Sequence, residues 1–218
     1  MKPITPCCRG HLSAQDVSFI TAVAGADVTP LLAEETSRDA VLESDALFHA
    51  LLHVRAPLPV SPRLYFYVIT RRVLPQQDRA VTDYIATVLA EFLEGDRWQT
   101  LPGLPDIQTR YVTDMLTVLA DLKGNRAFLL QAHLGNFSLF VSGIFPDHIR
   151  HRASVCGAPD ISFYETIGRT HYRLAAHQPQ ARQTGLEHVL DTIGSEFTAV
   201  RRGLNRVADQ FLHWHIAP

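Results

Sequence analysis

His49 and His53 stand four residues apart, with Asp45 one turn earlier. On a helix that spacing puts three metal-ligating side chains on one face, half of a site that another helix would have to complete. A di-iron carboxylate bundle needs Glu-x-x-His pairs, and none occurs: Glu187 and His188 are adjacent, and Glu165 and His171 are six apart. The plainer reading, and the preferred one, is a His pair at a helix boundary. His213 and His215 flank Trp214 and predict only adventitious metal affinity.

A second set of polar residues interrupts the most apolar stretch of the chain, Phe128 to Phe145, which keeps Gln131, His133, Asn136, Ser138 and Ser142. The run is short of the roughly 20 residues a membrane span needs, and Lys123, Arg126 and the Pro146-Asp147 pair bound it. It reads as the central helix of a core, where a buried His and Asn must find hydrogen bonds inside the protein. His133-x-x-Asn136-Phe137 is similar to the His-x-x-Asn-Trp phrase of lipid A acyltransferases. Those enzymes place an acidic residue five positions after the His, where this chain has Ser138, and the α/β pattern is missing. That reading is rejected. Ser138, Ser142 and Cys156 lie in no nucleophile elbow, and the chain has no Walker loop and no Gly-x-Gly-x-x-Gly.

The elements that must position these residues are helical. The chain has 218 residues, 46% hydrophobic and 19% charged, a globular balance able to bury a substantial core. A formal net charge of −2 gives no electrostatic case for nucleic acid or an anionic membrane. Three cysteines make no disulfide framework, and Met1 to Cys8 has no apolar leader, so a reducing cytoplasm is expected.

Ser13 and Asp16 cap a helix over 14–24. Thr29-Pro30 opens another, with a break allowed near Ser37, that runs to His53 or Val54 before Pro57 and Pro59. Ser61-Pro62 starts a third. Its Leu64 to Ile69 body suits a strand by composition, but it has no partner strand and is assigned to helix. Val81 through Leu93 show three-four spacing up to Gly95, and 95–105 form a turn-rich hinge. Ile107 through Leu122 make a stripe ended by Gly124-Asn125. The central helix, a short one over 146–152 and one over 162–177 follow. Phe197, Val200, Leu204, Val207, Phe211 and Trp214 form a heptad seam, read as a core helix ahead of a dimer seam. Arg71-Arg72 and Arg201-Arg202 read as solvated faces. The expected fold is all-α, a single-domain bundle of about eight helices with a loose segment over 1–12.

Leu134-Gly135, Leu139-Phe140, Ser142-Gly143 and Phe145-Pro146, followed by Tyr164-x3-Gly168-x3-Tyr172, carry a resemblance. The phrase resembles that of a group of bacterial helical proteins of unknown function, in which an LGxxxLFxSGxFP helix precedes a YxxxGxxxY helix. The resemblance covers roughly residues 126–176 and implies a bacterial, cytosolic, helical protein, with no activity attached.

The residues of that region suggest a ligand site on their own. Tyr164 and Tyr172 lie two turns apart and flank Gly168, so two rings over a glycine floor could hold a flat or acyl ligand, although another helix filling the space is the preferred reading. The expectation is a non-enzymatic protein, dimeric, that binds a small ligand or a protein partner. His133, Asn136, Tyr164, Glu165, Arg169 and Tyr172 are the candidate ligand residues, with Glu165 and Arg169 spaced to pair with each other. The competing expectation is a metal- or cofactor-dependent helical enzyme using Asp45, His49 and His53 together with His133. No particular cofactor is indicated.

Overall fold

Asp16 is fully buried, and it organises the first helices of the chain. Its carboxylate accepts the Ser13 N–H at 2.8 Å while the Ser13 hydroxyl accepts the Asp16 N–H at 3.1 Å, a reciprocal cap that opens α1 (Ala14–Ala24). The same carboxylate accepts the Ser61 N–H at 2.7 Å and the Ser61 hydroxyl at 2.8 Å. Ser61 in turn caps α4 (Pro62–Val73), so one buried acid fixes the starts of two helices.

The computed structural model describes residues 3–53, 59–94, 101, 104, 107, 109 and 111–212. They form twelve α-helices and two short 3-10 helices and contain no strand, only an isolated bridge between Leu101 and Leu104. The fold is all-α, with more helices than the eight expected. Most of the expected 95–105 hinge, and the His213-Trp214-His215 triplet, lie outside the described residues. The chain divides into two compact units, Pro6–Ala90 and Met1–Thr5 with Glu91–Pro218.

In the Pro6–Ala90 unit the helix expected from Thr29-Pro30 is broken into pieces. Those residues open only a 3-10 turn (Pro30–Leu32). The α-helix starts later because the Glu34 carboxylate captures the Thr36 and Ser37 N–H groups at 3.0 and 2.6 Å, giving α2 (Glu35–Leu42). Ser44 then caps Leu47 and restarts the chain as α3 (Asp45–Leu52). Local side-chain caps outcompete propagation here. Every residue of Leu64–Thr70 in α4 is buried, which explains a sequence that composition alone assigns to a strand. The first turns of α5 (Arg79–Glu94) complete this unit.

In the second unit α7 (Gly124–Ile144) is the axis, packed by α9 (Ile161–Ala176) and α12 (Phe197–Phe211). At 21 residues α7 is longer than expected and could cross a membrane by length and composition, but 89% of its most apolar window is buried in the protein. Burial, rather than length, marks it as a core helix. Glycines permit its close approaches: a Cβ on Gly135 would stand 2.8 Å from the Tyr172 ring, and one on Gly143 2.8 Å from Leu204. α6 (Val112–Leu119) precedes it, and Gly124, expected to end that helix, instead begins α7 at φ +60. α8 (Pro146–Cys156) runs past the expected Arg152 and stops at left-handed Gly157. α10 (Pro179–Gln183) and α11 (Glu187–Ser195) were not anticipated, although Val189, Leu190 and Ile193 carry helical spacing.

The C-terminal seam belongs to this core. Phe197, Val200, Leu204 and Val207 are all fully buried within the chain, which leaves them no surface for a dimer seam. Arg201, expected on a solvated face, is buried as well. Its Nε donates to Glu165 at 2.6 Å and its Nη1 to Asn205 at 2.6 Å, and Asn205 caps the Ser142 and Gly143 carbonyls at 3.0 and 2.7 Å. A buried guanidinium is tolerated because a carboxylate and an amide oxygen accept charge-assisted hydrogen bonds from it.

Candidate functional site

The six candidate ligand residues separate in three dimensions. The Tyr172 hydroxyl donates to Asn136 Oδ1 at 2.7 Å, so this pair ties α9 to α7 inside the core. His133, three residues before Asn136, turns instead to Phe92 and stacks on it at 5.6 Å with 15° between planes. Glu165 and Arg169 do not pair with each other. Glu165 accepts from Arg201, and Arg169 Nη2 donates to the Thr198 hydroxyl at 3.1 Å, both on α12. Gly168 is no groove floor either, since a Cβ there would fall 2.2 Å from the Phe197 ring. Phe197 covers the glycine and lies beside the Tyr172 ring. Arg201 and Phe197, both in the stretch read as a simple seam, decide what Glu165 and Gly168 can do.

Tyr164 faces a cleft. It lines this cleft, of about 830 Å³, with Phe137, Val141, Phe145, Ile149 and Phe163, which supply apolar walls from α7, α8 and the start of α9. Tyr111, at the start of α6 and 52% exposed, closes one side. His148 and Arg152, one turn apart on α8, line it as well and are exposed. Neither side chain makes an ion pair or hydrogen bond among the described residues, and neither does the Tyr164 hydroxyl. Burial pushes the Tyr164 phenol above its ordinary value, with the Arg152 charge opposing, so it stays a neutral donor. The cleft therefore presents an apolar floor and one polar margin of two cationic or cation-forming groups and a hydroxyl. Sequence reasoning reached Tyr164 and missed His148 and Arg152. Their i,i+4 spacing beside Ile149, after the Pro146 helix start, was the available signal.

The Asp45, His49 and His53 stripe is otherwise engaged. Asp45 Oδ1 lies 2.7 Å from Arg72 Nη1, whose guanidinium carbon sits 5.0 Å over the Phe48 ring. His53 follows the end of α3, with Nδ1 2.7 Å from the His49 carbonyl. Among the described residues no three His, Cys, Asp or Glu side chains stand close enough to hold a metal ion.

A buried polar cluster in the Pro6–Ala90 unit was not foreseen at all. Arg9 Nη1 donates to both Asp39 oxygens at 3.0 and 2.7 Å, and its Nε lies 3.4 Å from Asp83. Asp83 also accepts the Cys8 N–H at 2.7 Å, which anchors residues that the sequence suggested were loose. Glu43 accepts from Arg71 at 3.2 Å and from Arg79 at 2.6 Å, and its carboxyl is held below the ordinary range, chiefly by the hydrogen bond from Arg79.

Tyr67 is wholly buried beside these groups, and its hydroxyl has no hydrogen-bond partner among the described residues. Burial, then the Asp39 and Glu43 charges, raise its phenol above the ordinary 10.0. The folded protein thus keeps a proton that the unfolded chain gives up. Stability from this group is complete below pH 10 and is lost as pH rises above it. The urea midpoint is expected to fall from about pH 9 to about pH 11, and Tyr67→Phe should flatten that fall. An unchanged alkaline slope in the variant would remove Tyr67 from the account.

Fold and cleft together define an all-α protein with an amphipathic recess on one of its two units. Compared with known proteins, the chain matches no family model, no curated protein and no solved structure.

Proposed function

We propose that the protein binds a small amphipathic molecule, with an apolar chain in the α6–α9 cleft and a single anionic head at His148, Arg152 and Tyr164. The observation that carries this reading is the combination of an aromatic-aliphatic floor with an arginine at its margin that makes no ion pair among the described residues. An apolar recess alone attracts any greasy molecule. A guanidinium beside a neutral phenol donor selects a carboxylate, sulfonate or phosphate head, by charge and by hydrogen bonds that a neutral or cationic head cannot return. The reading is of a binding protein, because hydrogen-bond donors and positive charge gather at one margin of an apolar recess.

Calorimetric titration with alkyl carboxylates tests it. Each methylene that enters the cleft contributes about 0.8 kcal/mol, so octanoate to decanoate should tighten binding roughly 15-fold, until the recess is full. Dodecanoate should bind more tightly than dodecanol, and dodecyltrimethylammonium should not bind. Arg152→Glu is expected to weaken dodecanoate at least ~10-fold and Arg152→Lys by less. Equal affinity for the three head groups, or an Arg152→Glu protein that binds as well as the parent, would overturn the proposal.

A further inference from the structure

We propose that His148 makes head-group capture in the α6–α9 cleft proton-linked, so that the protein takes up a proton when it binds an anionic amphipath and holds it more weakly as pH rises. The inference rests on the cleft reading above and adds the control of that same site. His148 is exposed on α8, lines the cleft one turn before Arg152, and makes no hydrogen bond or ion pair among the described residues. An imidazole changes charge in the range pH 5 to 8, whereas a guanidinium stays charged throughout.

The groups around His148 set the direction of the coupling. On its own helix Arg152 follows four residues on, and two cations at that spacing repel. An anion seated between them removes the repulsion and attracts both. From α7 the walls are Phe137, Val141 and Phe145, which carry no charge. From α9 comes the neutral phenol of Tyr164, and from the start of α6 the phenol of Tyr111.

The acids next to lining positions are already engaged. Asp147 pairs with Arg150 at 2.5 Å, and Asp114 accepts from the Thr113 hydroxyl at 3.4 Å. Asp160 accepts the Phe163 N–H at 3.0 Å and the Ser162 hydroxyl at 2.7 Å. Among the described residues no carboxylate lines the cleft to answer an imidazolium there, so the counter-charge is the ligand's.

Anion and proton therefore strengthen each other's binding. A group that holds its proton more tightly in the complex than in the ligand-free protein adds affinity below its ligand-free value. That gain disappears as pH rises through the value in the complex. An anion that raises a neighbouring imidazole from about 6.5 by about one unit makes binding roughly eight-fold tighter at about pH 5.5 than at about pH 8.5. At about pH 7 the same shift takes up about half a proton per ligand.

Decanesulfonate is the probe, because a sulfonate stays ionised across this range and any pH dependence then belongs to the protein. Calorimetric titration of the full chain at about pH 5.5 and about pH 8.5 should show the roughly eight-fold loss of affinity. Titration near pH 7 in Bis-Tris and in Tris, which differ in protonation heat, should show the uptake of about half a proton. His148→Gln should bind with an affinity that does not vary with pH, and without proton uptake. His151→Gln, at an exposed position of α8 outside the cleft lining, should behave as the parent. Equal parent affinity at the two pH values, or a His148→Gln protein that keeps the pH dependence, would overturn this inference and leave the cleft reading standing. Failure of decanesulfonate to bind at either pH would overturn the cleft reading, and the proton linkage with it.

Discussion

Gly168→Leu is expected to destabilise the unit containing α7, α9 and α12 by more than about 3 kcal/mol, above the usual range for an overpacked core. The clash is at the first side-chain atom. A Cβ at position 168 would stand 2.2 Å from both Cε2 and Cζ of Phe197, and Phe197 is itself fully buried with its ring 6.1 Å from that of Tyr172. The Tyr172 ring has no room to yield toward α7, because a Cβ on Gly135 would already meet it at 2.8 Å. Urea unfolding followed by far-ultraviolet circular dichroism gives the magnitude. A double-mutant cycle gives the cause: in a Phe197→Leu background the further cost of Gly168→Ala should shrink, a coupling of roughly 1 kcal/mol or more. A Gly168→Leu protein with the parent midpoint would mean that Phe197 does not occupy this space and that the glycine floors an open groove after all.

Arg9→Leu carries the second large effect, in the Pro6–Ala90 unit. It leaves Asp39 and Asp83, whose side chains are each 5% exposed, without the guanidinium that lies 2.7 and 3.4 Å away. Arg79, 3.5 Å from Asp39, stays as partial compensation. Breaking a buried pair by removing one partner costs about 3–5 kcal/mol, mostly the desolvation of the charge left behind. The loss must depend on pH. Burial already raises the Asp83 carboxyl above its ordinary 3.8, with Arg9 among the influences opposing the rise. Without Arg9 the folded value climbs further, and a raised carboxyl stabilises below its unfolded value and loses that contribution as pH rises through the folded one. The difference between Arg9→Leu and parent should therefore be largest near neutrality and shrink below about pH 4. A cost under about 1 kcal/mol, or one independent of pH, would show that water rather than Arg9 satisfies the two acids.

Both predictions concern contacts between residues far apart in the chain, and this is where sequence and structure parted. α1 was legible to the residue because Ser13 and Asp16 cap each other three positions apart. The start of α4 was legible for the same reason, from Ser61 and Pro62. The helix expected from Thr29 to His53 failed because two further caps, Glu34 and Ser44, interrupt it, and carboxylate and hydroxyl caps are stronger local signals than a run of helix formers.

The candidate site was legible only in part. Helical spacing correctly put Tyr164 and Tyr172 on α9, but spacing fixes a face and not what covers it. Phe197 covers Gly168, Arg201 takes Glu165, and Thr198 takes Arg169, three neighbours brought from about thirty residues downstream. His148 and Arg152 gained their meaning only when α8 placed them at the edge of an apolar recess.

The sequence by itself determined an all-α chain, the helix that is buried all round, and several helix starts. These follow from periodicity and capping, which act within about one or two turns. The tertiary structure decided which glycines are packing contacts, which charges are buried pairs, and where open space remains. Those properties depend on the steric fit and desolvation of side chains that only the folded chain brings together.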